Sequence, residues 1–231
     1  MPNAVRPSND RILPYLLLLL TVVAGTVDAV SYLALGHVFV VNMTGNVVFL
    51  GFAAAGAAEI SLRATLTAMG AFLVGSVAGG RLALRFAAHD GRLIGVATVI
   101  KIVLVAMALA VVISAAGKLD DIHRDVVIAL LALAMGVQNA SARRLGIPDL
   151  TTTVLTMTIT AIAADSTLAG GTNPRLQWRL LAVGSMLLGA FAGGLCVLRS
   201  GIAAALVLTL VLLVLTGVLS RGTFRGAQAS R

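Results

Sequence analysis

Long apolar runs are the feature that most limits what this chain can fold into. Eight of them can be marked, at 14–35, 38–57, 64–84, 93–116, 126–142, 151–168, 180–198 and 201–220. A membrane-spanning helix needs about 20 predominantly apolar residues, and six of the runs are of that kind, although 126–142 is short. The sequence therefore predicts an all-α, polytopic transmembrane helix bundle, in one membrane domain that covers residues 1–231.

The composition excludes the other broad classes of protein. Hydrophobic residues make up 59% of the chain and charged residues 11%, whereas an ordinary soluble domain is about 45–50% apolar and about 25% charged. Disorder requires low hydrophobicity and dense charge, which this chain does not have. Its one cysteine, Cys196, lies in an apolar run, so no disulfide framework is expected.

Two of the eight runs are interrupted by polar residues. These residues are Asn42, Thr44, Gly45 and Asn46 in the first run, and Thr151, Thr152, Thr153, Thr156, Thr158, Thr160 and Asp165 in the second. We expect the two runs to enter the membrane without crossing it, which gives six spans plus two polar intramembrane segments. A bundle of eight spans is the alternative, because 38–57 is long enough to cross.

An internal two-fold repeat is predicted from a gapless alignment. Residues 68–85 align on 182–199 with nine identities in eighteen positions, where about one or two would be expected by chance between two helices of this composition. Weaker similarities pair Gly25, Asp28 and Ala29 with Gly136, Asn139 and Ala140, and pair Thr44 and Asn46 with Thr156 and Thr158. The repeats are expected at about 12–116 and 122–221.

The net charge of +8 is interpreted as an orientation signal rather than as a nucleic-acid footprint. With six spans, one side of the membrane carries twelve arginines: Arg6, Arg11, Arg81, Arg85, Arg92, Arg143, Arg144, Arg175, Arg179, Arg221, Arg225 and Arg231. The other side carries Arg63, Lys118, Arg124 and Arg199. Both termini are therefore predicted to be cytoplasmic, and no nucleic-acid partner is expected.

Small residues four apart occupy matching positions in the two repeats. They are Gly75 and Gly79 in the first, and Gly189 and Gly193 in the second. Such spacing lets helix backbones approach closely in lipid. We expect the two halves of the chain, or two copies of it in a homo-oligomer, to pack along these glycines.

Asp28 is the sharpest functional candidate, because it lies well inside the first span. An intramembrane carboxylate is unfavourable by a few kcal/mol or more and must face the bundle interior or water. Thr21, Gly25, Asp28 and Tyr32 share one helical face. Asp28 could bind a cation or a proton, or could form a structural pair with Lys101 or Asn46.

Seven further polar residues are predicted to line an ion or solute pathway with Asp28. Asn42, Thr44 and Asn46 come from the first repeat, and Gln138, Asn139, Thr156 and Thr158 from the second. A glycine-broken polar segment frees backbone groups that lipid does not tolerate but a lined cavity does. Hydrogen bonding between helices is the alternative role for these residues.

The remaining polar residues are given structural roles. Lys101 lies about eight residues into its predicted span, and we expect its side chain to snorkel towards the interface. His37, His89 and His123 are too dispersed to form a metal site. The common catalytic motifs are missing from the sequence, so we expect no enzyme, no metal and no cofactor.

Two stretches of the sequence carry a family resemblance. Residues 24–51 contain Val27, Asp28, Ala29, Ser31 and Tyr32, followed by Val41, Asn42, Met43, Thr44, Gly45 and Asn46, and residues 131–161 contain Gly136, Gln138, Asn139 and Ala140. This pattern resembles the YoaK-like family of bacterial inner-membrane proteins, a catalogued domain of unknown function. Met157 departs from it, standing where a glycine is expected. The resemblance implies a multi-pass protein of the bacterial inner membrane and brings no activity.

Two functions are compatible with these observations. The first is a small transporter or channel for an ion or small polar solute, with a polar site near the membrane midplane. The alternative is a non-transporting scaffold or partner subunit that assembles through its small-residue helix faces.

Overall fold

The computed structural model describes residues 12–57, 59–86, 90–116, 118–146 and 155–228. These residues form helices α1 (Leu13–Ala34), α2 (Met43–Ala54), α3 (Leu62–Arg85), α4 (Asp90–Ser114), α5 (Asp121–Leu145), α6 (Leu155–Ala164), α7 (Leu176–Ser200) and α8 (Ile202–Gln228), with a short 3₁₀ turn at Thr167–Ala169. Six of the helices are long and apolar enough to cross a membrane, and α2 and α6 are shorter. The predicted all-α polytopic bundle is confirmed. The predicted run 151–168 begins outside the described residues.

Local signals in the sequence explain where several helices begin and end. Pro14 lies in the first turn of α1, where the missing N–H is not needed. Ser61 caps α3 by accepting a hydrogen bond from the Ala64 N–H. Asp120 caps α5 through the His123 N–H, and this bond holds the pKa of the Asp120 carboxyl below its ordinary value. Gly146 ends α5 in a left-handed conformation that favours glycine.

Contacts at the helix ends define two faces of the bundle. Leu16 in the first turn of α1 clusters with Ile94 at the start of α4 and Leu145 at the end of α5, and Tyr15 contacts the Trp178 ring at the start of α7 with 5.5 Å between centroids. We call this end of the bundle the α1-start face.

The opposite end, the α1-end face, is defined by two further contacts. The backbone at Gly36, just after α1, lies against the Arg124 side chain of α5. An ion pair of 2.6 Å joins Arg63 at the start of α3 to Asp125, also near the start of α5.

These contacts decide between six spans and eight. Helix α2 connects the end of α1 to the start of α3, and both lie at the α1-end face; α6 connects the end of α5 to the start of α7, and both lie at the α1-start face. With 12 and 10 residues, α2 and α6 are about 18 and 15 Å long, well short of a bilayer core of about 30 Å. Both short helices therefore return to the face from which they started, as the six-span prediction requires.

Helices α1 and α5 are the most buried and occupy the centre of the bundle. Helix α1 packs against α7 and α8, α5 packs against α3 and α4, and α4 packs against α8. The short helix α2 lies on α3, and α6 lies on α7. The first half of the chain is thus interleaved with the second rather than placed beside it.

The closest backbone approaches are made at glycines. Gly25 of α1 lies against the backbone of Met186 and Ala190 in α7, and Gly136 of α5 lies against the backbone of Phe72 and Ser76 in α3. The sequence alignment pairs Gly25 with Gly136, Phe72 with Met186 and Ser76 with Ala190, so the two contacts occupy equivalent places in the two halves of the chain. The repeat and its boundaries nevertheless stay a prediction.

The four glycines predicted to mediate packing all contact another helix of the same chain. Gly75 and Gly79 of α3 lie against Leu133 and Val137 of α5, and Gly189 and Gly193 of α7 lie against Val22 and Thr26 of α1. The glycine faces are therefore filled within one chain.

The first prediction compares two neighbouring glycines of α3. A Cβ on Gly79 would lie 2.9 Å from Val137 backbone atoms and from the Ala140 Cβ, whereas a Cβ on Gly80 would meet nothing within 4 Å. Gly79→Ala should lower the free energy of unfolding by about 1–3 kcal/mol through overpacking. Gly80→Ala should be neutral or should raise it by up to about 1 kcal/mol. Thermal unfolding in detergent followed by circular dichroism measures both; an equal effect would contradict the close contact.

The second prediction concerns topology. In a chain whose Cys196 is replaced by alanine, a cysteine at Ala57 and one at Lys118 should react with an impermeant maleimide from the same side of the membrane. A cysteine at Arg144 should react from the other side, because it lies at the α1-start face. Labelling of Ala57→Cys from the same side as Arg144→Cys would require α2 to cross and would contradict the six-span fold.

Candidate functional site

The connection between α1 and α2 is an irregular segment that lies in the interior of the described bundle. Residues 35–42 are not helical, yet the side chains of Leu35, Val38, Val40 and Val41 are fully or almost fully buried. A buried backbone outside a helix has N–H and C=O groups that lipid cannot satisfy. The protein must therefore supply their hydrogen-bond partners.

Asp28 supplies two of these partners. Its Oδ1 atom accepts hydrogen bonds from the Val40 N–H at 3.1 Å and from the Val41 N–H at 2.9 Å. The residue is only 5% exposed, and its Oδ2 atom has no hydrogen-bond partner among the described residues. Oδ1 of Asp28 thus holds the α1–α2 connection against α1, and Oδ2 has no such bond.

Asn46 supplies the partners for the next peptide groups. Its Oδ1 accepts from the Phe39 N–H at 2.9 Å, and its Nδ2 donates to the Phe39 carbonyl at 2.6 Å. The Phe39 ring stacks on Tyr32 and on Phe49. A Cβ on Gly45 would lie 2.7 Å from that ring, so the glycine makes room for the stack.

The partners of Asp28 differ from those considered in the sequence. The Asp28 carboxylate accepts hydrogen bonds from backbone N–H groups of the α1–α2 connection, whereas Lys101 and Asn46 have other partners. Sequence spacing gave no indication of this, because a backbone N–H carries no signature in the sequence.

The other residues of the two polar segments divide by burial. Asn46 of α2 and Thr158 of α6 are buried, whereas Asn42, Thr44 and Thr156 are exposed on the surface of the chain. Asn42, Thr44 and Thr156 therefore do not face the bundle interior.

A second polar cluster surrounds Lys101. The Lys101 side chain is 1% exposed, and its Nζ donates to Gln138 Oε1 at 3.0 Å. Gln138 Nε2 in turn donates to the Leu20 carbonyl of α1 at 3.0 Å. The expectation that Lys101 snorkels is wrong. Helix α4 begins at Asp90, so Lys101 lies about 16 Å from one end of the helix and about 20 Å from the other.

A small cavity of about 10 Å³ lies beside Lys101, with room for about one water molecule. It is lined by Leu17, Leu20, Ile94, Ala97, Thr98, Lys101, Gln138, Ser141, Ala142 and Leu145. Thr98 was not singled out in the sequence. Its position three residues before Lys101, on the same helix face, is the signal that could have found it.

Of the predicted pathway residues, Gln138 lines the cavity at Lys101 and the others do not. Gln138 contacts the helix α1 backbone at Leu20, which lies eight residues before Asp28, or about 12 Å along the helix axis. Asn139 is buried beside Gln138, but neither Asn139, Asp28, Asn46 nor Thr158 lines the cavity at Lys101. The structure thus forms two polar clusters at different depths.

The chain matches a family model over residues 16–219, and that model is described as "Protein of unknown function (DUF1275)". The chain belongs to this family. It is also 34% identical over 150 residues to the UPF0700 transmembrane protein YoaK of Bacillus subtilis (strain 168), a match that covers 65% of this chain and 65% of the relative's length. No solved structure matches.

The family assignment confirms the resemblance seen in the sequence and fits the fold. Together with the transmembrane relative, the six long apolar helices identify a DUF1275 protein that spans the membrane several times. Within the described part of the chain, no three His, Cys, Asp or Glu side chains come together in a way that could hold a metal ion.

Asp165, which the sequence placed near a segment end, is paired in the structure. Its Oδ2 lies 2.8 Å from Nη1 of Arg179, which also donates to the Ala161 carbonyl at 2.8 Å. This pair ties the end of α6 to the start of α7, at the α1-start face.

The third prediction tests whether the hydrogen bonds to Asp28 hold the α1–α2 connection in place. Asp28→Ala leaves two buried N–H groups without a partner, at about 1–3 kcal/mol each, and should lower the free energy of unfolding by about 2–6 kcal/mol. Asp28→Asn keeps an accepting oxygen and should be milder. Thr44→Ala, on the exposed side of the same segment, should change stability by less than about 0.5 kcal/mol.

Thermal unfolding in detergent and amide hydrogen exchange at Val40 and Val41 measure this effect. Fast exchange at both amides in Asp28→Ala alone is expected. Unchanged protection would show that another group holds the connection in place.

Proposed function

We propose that this DUF1275 protein is a small transporter or channel for an ion or a small polar solute. The observation that carries the proposal is the presence of two ionisable side chains, Asp28 and Lys101, that are buried inside the helix bundle and whose hydrogen bonds within the described residues go to neutral groups. Ionisable groups at such positions mark ion or proton pathways more often than they serve packing.

Asp28 and Lys101 both stand where an uncharged side chain could serve. Placing a charged side chain within a membrane is unfavourable by at least a few kcal/mol. An asparagine could accept the same bonds from Val40 and Val41, and an apolar residue could fill the place of Lys101. Stability alone requires an ionisable side chain at neither position, so the presence of Asp28 and Lys101 inside the bundle supports a role in moving an ion or a proton.

The irregular segment gives the second support. Broken segments that enter from opposite faces and place unwound backbone inside the bundle are the usual binding elements of inverted-repeat transporters. In this fold α2 returns to the α1-end face and α6 returns to the α1-start face. We propose that the two halves are inverted repeats and that Asp28 and Lys101 serve pathways from opposite sides, with the pathway role extending to Asn46, Asn139 and Thr158.

The orientation and location follow as part of the same proposal. The described arginines gather at the α1-start face, at the ends of α3 and α5 and the starts of α4 and α7. Because of the positive-inside rule, we propose that this face is cytoplasmic and that the membrane is the bacterial inner membrane. A transport role needs no catalytic group, and we propose that the chain is not an enzyme.

No specific observation favours the scaffold alternative. Its predicted docking surfaces were the faces around Gly75, Gly79, Gly189 and Gly193, and each of these glycines contacts a helix of the same chain. A partner could not reach them without opening the bundle. Gly79→Leu should therefore impair folding of the single chain rather than break an assembly.

The fourth prediction tests transport directly. Purified protein in liposomes should conduct when gradients of protons, sodium, potassium or chloride are imposed, as measured by currents on a solid-supported membrane, or should speed osmotic swelling with small neutral solutes. Asp28→Asn should insert and fold but abolish or uncouple the flux. Asp121→Asn, an exposed acid at the α1-end face, removes the same charge and should transport normally.

Two outcomes would count against the proposal, each in its own way. Full activity of Asp28→Asn would remove Asp28 from the pathway but leave transport standing. Wild-type liposomes that are no more permeable than empty ones to every ion and solute tested would overturn the transport function.

A further inference from the structure

The Lys101 ammonium has fewer hydrogen-bond acceptors among the described residues than it can use, and the one it has is neutral. It can donate three hydrogen bonds, and the structure gives it one acceptor, the neutral Gln138 Oε1. No carboxylate among the described side chains lines the cavity or lies within ion-pair distance of Lys101. A cation that is buried without a counter-charge is strongly unfavourable. A bound anion would therefore stabilise the Lys101 ammonium.

Thr98 is the second incomplete group of the cavity. Buried threonines on neighbouring helices bond to the carbonyl four residues earlier, as Thr21 does to Leu17 and Thr209 does to Ala205. Thr98 is equally buried, but its Oγ1 has no hydrogen-bond partner among the described residues. The methyl group of Thr98 points towards Gly217 of α8. A Cβ built on Gly217 would lie 3.6 Å from this methyl carbon.

The cavity is closed to large ligands and lies on the basic side of the bundle. Its volume of about 10 Å³ suits one atom or one water-sized group. Ile94 and Leu145, which line its outer part, lie at the α1-start face, and the exposed Arg92, Arg143 and Arg144 are close to them in sequence. Clustered positive charge raises the local concentration of anions at such a face.

We propose that Lys101 and Thr98 bind a small monovalent anion of the halide class in this cavity, with Gln138 holding the ammonium in place. The ammonium supplies the compensating charge and the Thr98 hydroxyl donates a hydrogen bond. A metal cation is repelled by Lys101, and an organic anion is too large for the space. The proposal concerns equilibrium binding and does not depend on whether the protein transports.

The fifth prediction uses the full-length protein in detergent with radiolabelled chloride, measured by scintillation proximity in a gluconate buffer. Wild type should bind chloride saturably. Lys101→Met should abolish binding, and Thr98→Val, which has nearly the same shape, should weaken it about tenfold or more, because a hydrogen bond to a charged group is lost. Thr209→Val removes a hydroxyl that is already bonded within α8 and is the matched control, with affinity unchanged.

The outcomes are separable from those of the flux experiment. Should Lys101→Met fail to fold, the comparison of Thr98→Val with Thr209→Val decides the matter. No saturable chloride binding to wild type, or equal affinities of Thr98→Val and Thr209→Val, would overturn the anion site, and a water molecule beside a neutral lysine would then occupy the cavity. Either result leaves the flux assay of Asp28→Asn untouched.

Discussion

In a chain surrounded by lipid, each backbone N–H and C=O has to find its partner within the protein. The six long helices meet this requirement by themselves. The connection between α1 and α2 does not, because residues 35–42 are buried but not helical. Asp28 and Asn46 together satisfy three N–H groups and one carbonyl of that connection. These few bonds hold the connection from which α2 returns to its starting face.

The same requirement gives a physical meaning to the residues that identify the family in the first half of the chain. Asp28 accepts hydrogen bonds from the Val40 and Val41 N–H groups, and Asn46 donates one to the Phe39 carbonyl. Gly45 leaves room for the Phe39 ring. Asn42 and Thr44 are exposed and have no such role. The two family elements are thus one structural unit, separated by about a dozen residues in sequence and joined by hydrogen bonds in space.

How much of this could be predicted from the sequence depends on the kind of interaction. Spans follow from hydropathy, and the glycines of α3 and α7 pointed to close helix packing, because both signals are local. The partners of Asp28 could not be predicted, since backbone groups of a non-helical segment look alike in any sequence. The prediction that the Lys101 side chain snorkels is wrong because α4 begins earlier than its apolar run. The earlier start moves Lys101 from the helix end towards the middle of the helix. The cavity at Thr98 requires three helices to meet, and pairing between helices is not encoded in the periodicity of any one of them.

The separation of the two buried charges is the least expected part of the arrangement. A lysine and an aspartate in one membrane bundle would gain most by pairing, because their attraction is strong in a medium of low dielectric constant. Here Lys101 is bonded to Gln138, at the level of Leu20 in α1, and Asp28 lies more than two turns further along that helix. Within the described residues each group therefore has unused hydrogen-bonding capacity: Oδ2 of Asp28 has no hydrogen-bond donor, and the three hydrogens of the Lys101 ammonium have one acceptor. An ion pair would satisfy both groups, whereas two separated groups with unused hydrogen-bonding capacity fit the proposed role of exchanging a small ion or a proton with the side that each one faces.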